Sequence, residues 1–184
     1  MKKEIKNLQI VAVIIASVIY LGIKNLPFSN HAAPKGEYYY VERVVDGDTF
    51  KLSDGRRVRL IGVDTPEYHY SEKLLRDSRR NHQDMKSIQA MGRKAYDFTR
   101  HLCEGKKVRL EEGVKGQDRY GRLLVYAYLE DGTFVNARIL EEGYGQVMTV
   151  PPNVKHADMF LKLQRRSREE GKGLWANGEL KLAE

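Results

Sequence analysis

Residues 38–67 read YYYVERVVDGDTFKLSDGRRVRLIGVDTPE, three apolar runs separated by two Asp-Gly pairs. Tyr38–Val45 is rich in Tyr and Val, Thr49–Leu52 follows Asp46-Gly47-Asp48, and Val58–Val63 follows Asp54-Gly55. Aromatic and β-branched residues suit a pleated surface. An Asp-Gly pair between two such runs signals a hairpin, because both turn residues must accept positive φ. The stretch therefore predicts a three-stranded antiparallel meander.

Its charged residues gather where the strands end. Asp46 and Asp48 occupy the first turn, Asp64 and Glu67 follow the third strand, and Arg59 lies within it. Taken singly, each acid reads as a solvated turn residue. In a folded meander, however, the start of the second strand lies near the end of the third, so Asp48 and Asp64 can converge. Two adjacent carboxylates repel and drift toward protonation unless a cation intervenes. A hard divalent ion resolves this, and Ca²⁺ tolerates an irregular set of carboxylates, a backbone carbonyl and waters.

Beyond this stretch, Tyr68–Lys86 is polar and basic with few apolar anchors, and reads as a long loop or insertion. Ile88, Met91, Ala95, Phe98 and Leu102 then recur at helical spacing, closed by Gly105. Lys107–Glu111 and Leu123–Leu129 read as strands, Val135–Glu142 as a short helix, and His156–Glu170 as a last helix with Phe160, Leu163 and Ser167 on one face. Its Arg and Lys residues read as a solvated face, and Trp175 as packing back on the domain. Five strands with interspersed helices predict a mainly β, α+β domain: a five-stranded OB-like barrel with about three helices, plus an apolar N-terminal helix.

The 184 residues suffice for one domain with a proper core. The formal charge is +7; the first 26 residues, with four Lys and one Glu, carry three of these charges, which leaves four on the rest. That balance suits a polyanion-binding surface. Cys103 is the only cysteine, so an internal disulfide and a multi-Cys zinc site are both excluded; it reads as a small, half-buried apolar residue. His69, His82, His101 and His156 show no ligand spacing and read as surface residues.

Leu8–Ile23 is an uncharged apolar run preceded by lysines. It reads either as a signal peptide or as an uncleaved anchor, and the lack of a small-x-small cleavage site favours the anchor. Lysines before the run place the globular part on the extracytoplasmic side, or in the medium if the leader is cleaved. The expected organisation is residues 1–26 as anchor or signal, 27–36 as linker, 37–177 as the main domain and 178–184 as a tail.

Val45-Asp46-Gly47-Asp48-Thr49, then Arg59-Leu60-Ile61-Gly62-Val63-Asp64-Thr65-Pro66-Glu67, then Asp118-Arg119-Tyr120-Gly121-Arg122 resembles the staphylococcal (micrococcal) nuclease, or thermonuclease, family. The resemblance covers roughly Tyr38 to Trp175 and includes Pro151-Pro152-Asn153 and Gly173-Leu174-Trp175. It implies a calcium-dependent nuclease acting on DNA, RNA or both as a monomer, and leaving 3′-phosphate ends. By position it implies that Asp48, Asp64 and the Thr65 carbonyl hold calcium, with Asp46 close by but not a ligand. Glu67 matches the carboxylate proposed as general base, Arg59 and Arg122 the arginines that grip the phosphate, and Tyr120 a tyrosine near the nucleotide. Packing on the barrel and stacking on a base are both open to Tyr120. The sequence departs from the pattern at Gln146–Val150, where the best-known member has two tyrosines and this chain has none. A non-catalytic nucleic-acid- or protein-binding module is the competing reading. A degenerate copy would lack some of Asp48, Arg59, Asp64, Glu67 and Arg122, and all five are present.

Overall fold

A computed structural model describes residues 36–81 and 84–178. The expected anchor or leader, nearly all of the linker and the end of the tail lie outside these residues. Among the described residues no helix is long and apolar enough to cross a membrane.

Five strands form a closed barrel: β1 (Tyr38–Asp46), β2 (Thr49–Leu52), β3 (Arg57–Leu60), β5 (Lys107–Gln117) and β6 (Leu123–Leu129), in the order β1-β2-β3-β6-β5. All neighbours are antiparallel except β3 and β6, which run parallel. Two short strands, β4 (Gly62–Asp64) and β7 (Gln146–Met148), pair separately. The helices are α1 (Glu72–Asn81), α2 (Met85–Cys103), α3 (Val135–Glu141) and α4 (Ala157–Glu169), followed by a 3₁₀ turn at Gly173–Gly178. The result is the α+β barrel that the sequence predicts, with four α-helices among the described residues where about three were expected.

The meander forms as predicted, with Val44 opposite Phe50 and Phe50 opposite Val58. At its second turn Gly55 adopts a φ of +89°, and Asp54 accepts hydrogen bonds from the Arg56 amide at 3.0 Å and Nε at 2.8 Å. The first turn is small for another reason. Gly47 does not take positive φ; a Cβ on it would lie 2.7 Å from Thr65 Oγ1 and 2.9 Å from the Ala95 Cβ.

The predicted third strand, Val58–Val63, is broken. The Ile61 amide still donates to the Val125 carbonyl at 2.9 Å, but its own carbonyl accepts from the buried Asn136 side chain at 2.9 Å. Gly62 then turns at φ +78°, pressed so closely on the Phe160 ring that a Cβ would sit 2.5 Å away. The chain leaves the barrel here and pairs as β4 with β7, which turns Asp64 back toward Arg59.

Within Tyr68–Lys86 the described residues Glu72–Asn81 form a helix and not a loop. Ser71 accepts from the Leu74 amide at 3.0 Å, the hydrogen bond of an N-cap, and begins α1. The buried Leu74 anchors that helix in a small core with Ile88, Met91, Ala95, Leu174 and Trp175, a burial that stabilises by about 1.5–3 kcal/mol. One apolar anchor in a charged helix gives no periodicity to read. Trp175 packs back on the domain as expected. Cys103 is fully rather than half buried, its thiol donates to the Thr99 carbonyl at 3.2 Å, and burial pushes its pKa up to about 12. His156 is not a surface residue: its ring sits among those of Tyr126, Phe134 and Phe160.

Candidate active site

The β2–β3 register puts Thr49 opposite Arg59, so Asp48, one residue earlier, lies beside the Arg59 side chain. The Arg59 guanidinium bonds Asp48 Oδ1 through Nη1, and through Nη2 it donates to Asp64 Oδ1 at 2.8 Å and the Val63 carbonyl at 3.3 Å. One planar group thus spans the two carboxylates. Asp48 is 2% exposed, and the other oxygen of its carboxylate accepts from the Thr65 amide at 3.1 Å and the Thr65 hydroxyl at 3.2 Å. Burial disfavours the charge on Arg59, but Asp48, Asp64 and Glu67 more than offset it and raise the pKa above the usual arginine value.

A second arginine joins the same network. The Thr49 hydroxyl donates to Asp48 Oδ1 at 2.9 Å and accepts from Arg122 Nη1 at 3.3 Å. Arg122 is held by Asp118, whose Oδ2 accepts from Nε at 2.7 Å. The other Asp118 oxygen closes the turn by accepting from the amides of Tyr120 at 2.8 Å and Arg122 at 3.0 Å. Burial pushes the Asp118 carboxyl up, yet the bonds from Arg122 and Tyr120 outweigh it and hold the pKa below the ordinary value. Tyr120 stands exposed at the rim, with Arg119 4.8 Å and Arg122 5.5 Å from its ring centroid.

Arg59, Asp64, Glu67, Tyr120 and Arg122 line one cleft of about 1260 Å³, with Asp48 and Thr65 buried. Asp46 bonds its neighbour, accepting from the Gly47 amide at 2.9 Å. The cleft has further walls, one of them from the basic stretch after Tyr68. Arg76 and Arg79 of α1 line it, as do Lys115 and Arg119, and Met148, Val150 and Pro151 line it where the tyrosines are missing. Sequence reasoning also missed Thr49 and the role of Asp118. An Asp two residues before a Tyr-Gly turn signals the turn, but its grip on Arg122 depends on the folded loop.

Charge and donor chemistry bear on a cation. Asp48, Asp64 and Glu67 all act on Arg59, so carboxylate oxygens gather around this one guanidinium. Among the described residues no three His, Cys, Asp or Glu side chains form a ready-made cage. A site here needs a backbone carbonyl and waters beside Asp48 and Asp64, an all-oxygen set of the kind that calcium accepts and zinc does not favour.

Residues 57–177 match the family model described as staphylococcal nuclease homologue. The chain belongs to the staphylococcal nuclease family. Among its relatives in this family are thermonucleases of Staphylococcus intermedius, 33% identical over 95% of this chain and 99% of the relative, and of Staphylococcus hyicus, 31% identical over 90% and 95%. The endonuclease YhcR of Bacillus subtilis is 31% identical over 77% of this chain but only 12% of its own length, so the matching part there is one portion of a larger protein.

Proposed function

We propose that the chain is a calcium-dependent endonuclease that hydrolyses phosphodiester bonds of DNA, RNA or both by attack of water, leaving 3′-phosphate ends. The observation that carries this reading is the Arg59 guanidinium laid across Asp48 and Asp64 in the cleft that Glu67 and Arg122 also line. Asp48, Asp64 and the Thr65 carbonyl would hold the ion. When bound, calcium supplies positive charge to the phosphate but acidifies water far less than zinc does.

Removing the proton from the attacking water therefore falls to a protein base. We assign that role to Glu67, which lines the cleft three residues after Asp64 and matches the family's proposed base by position. Arg122 and, once its carboxylates turn to the ion, Arg59 would offer paired N–H donors to the non-bridging phosphate oxygens, where charge accumulates as water adds. Hydrogen bonds of Arg59 with Asp64 and of Arg122 with Asp118 support this reading, since a side chain ordered beforehand loses less freedom on binding. Tyr120 presents a ring face to a base or sugar. Met148 and Val150, 42% and 58% exposed, line the same cleft and offer apolar contact in place of tyrosines. Arg76, Arg79, Lys115 and Arg119 extend positive charge along the walls, as a strand longer than one nucleotide requires.

In this reading residues 37–177 are the nuclease domain of a monomer. Residues 1–26 tether it on the extracytoplasmic side, or release it when cleaved.

The test compares cleavage of DNA by the parent chain and by Arg59→Lys. Lysine keeps the charge but cannot span two carboxylates or two phosphate oxygens at once. A loss on the order of 100-fold in kcat, matching about 3 kcal/mol for one preorganised donor group, with an unchanged thermal midpoint, is the expected result. Near-normal turnover by Arg59→Lys counts against the assignment.

A further inference from the structure

The barrel register places Asp48, Arg59 and Arg122, but it does not place Glu67, which follows Pro66 on the segment leading from β4 to α1. Two contacts from outside the barrel fix it. Its backbone lies directly against Gly92 of α2, so close that a Cβ there would sit 2.4 Å from the Glu67 carbonyl carbon. Its carboxylate accepts a hydrogen bond from Ser71 Oγ, at 3.0 Å from Glu67 Oε2. The same Ser71 oxygen accepts from the Leu74 amide at 3.0 Å and so caps α1.

A hydroxyl carries one proton and two lone pairs. Ser71 spends the proton on Glu67 and a lone pair on the helix, so the two bonds do not compete, and each polarises the other. The oxygen is itself fixed, because α1 is anchored by the buried Leu74 on α2, the helix that also supports the Glu67 backbone. We propose that Ser71 is a positioning residue for Glu67, so that the N-cap of α1 aims the carboxylate at the water it must deprotonate. This inference rests on the reading of Glu67 as base. It makes α1, in a stretch expected from the sequence to be a long loop or poorly ordered insertion, a working part of the site.

Capping and positioning make different demands on residue 71, and a series of variants separates them. Ser, Thr and Asp all cap helices well, whereas Ala does not. Ser and Thr can donate a proton to Glu67; Ala cannot, and an ionised Asp both fails to donate and repels it. Steady-state cleavage of a DNA oligonucleotide in Ca²⁺ is measured for the full chain and for Ser71→Thr, Ser71→Ala and Ser71→Asp. Positioning predicts that Ser71→Thr retains most of the turnover, that Ser71→Ala loses on the order of tenfold in kcat, and that Ser71→Asp loses more still. KM should stay within about threefold throughout, since Ser71 touches no substrate phosphate. A pure capping role predicts the order Ser, Thr and Asp together above Ala, and that order overturns the proposal. Equal turnover by all four overturns it too. If the parent chain itself cuts nothing in Ca²⁺, the nuclease reading falls first and takes this inference with it.

Discussion

Arg59 shows how much chemistry one register pair can fix. Thr49 lies opposite it in the sheet, and from that pairing follow its bond to Asp48 and, through the Thr49 hydroxyl, the link to Arg122. The residue types of the site were legible in the sequence because carboxylates and arginines at strand ends are conspicuous. The hydrogen bonds among them were not, because Asp118, Thr49 and Ser71 act through partners that only the folded loops bring near. Asp118 makes the point testable. Asp118→Asn keeps an oxygen to accept from the Tyr120 and Arg122 amides, so the turn survives, but the charged acceptor at Arg122 Nε is lost. With Arg122 no longer held toward the phosphate, kcat/KM should fall by at least about tenfold, the order expected for a misplaced donor group, a larger effect than any shift of the denaturant midpoint. Wild-type kcat/KM in this variant contradicts the role given to Asp118. The pH dependence has a definite sign: because the Asp118 pKa is lowered in the folded chain, the hold on Arg122 is complete at neutral pH and is lost as pH falls through that lowered value, below 3.8.

At the scale of elements, the strands with alternating or β-branched runs and the helix over Ile88–Leu102 were readable, whereas α1, β7 and the break at Ile61–Gly62 were not. Each failure has a physical cause. The helix α1 buries Leu74 in an otherwise charged sequence, β7 is three residues long, and the break comes from a side chain distant in sequence, Asn136, capturing the Ile61 carbonyl. On α2 the apolar stripe, Ala95 included, was read correctly, but the parts played by Gly92 and Thr99 were not. Gly92, Ala95 and Thr99 form the face that carries the site: Gly92 abuts Glu67, Ala95 lies near Gly47, and Thr99 Oγ1 donates to the Gly47 carbonyl at 2.6 Å. Helix propensity alone favours Ala over Gly in a helix interior by about 1 kcal/mol. The contact predicts the reverse. Gly92→Ala should destabilise by about 1–3 kcal/mol, the usual cost of overpacking, and should lower kcat by displacing Glu67. A denaturation midpoint that rises as propensity suggests, with kcat unchanged, contradicts this packing.

At the scale of the whole molecule, the count of five barrel strands was in the sequence, but their order was not. Closure depends on the parallel pairing of β3 with β6, where Val58 meets Leu123 and Leu60 meets Val125, residues that no local pattern relates. That closure brings the turn holding Asp118 and Arg122 to the side of the barrel where the meander ends in Asp64 and Glu67, so the cleft is a product of topology. The positive balance of the chain then has a place to act, along walls that carry Arg76, Arg79, Lys115 and Arg119. The claim that matters most is that Asp48, Asp64 and the Thr65 carbonyl take up a divalent ion for phosphodiester hydrolysis. Incubating the full chain with supercoiled plasmid DNA, in Ca²⁺ and in parallel with a chelator, tests it directly. We expect nicking and fragmentation in calcium and intact plasmid in chelator; equal cleavage in both, or none in calcium, would contradict the account.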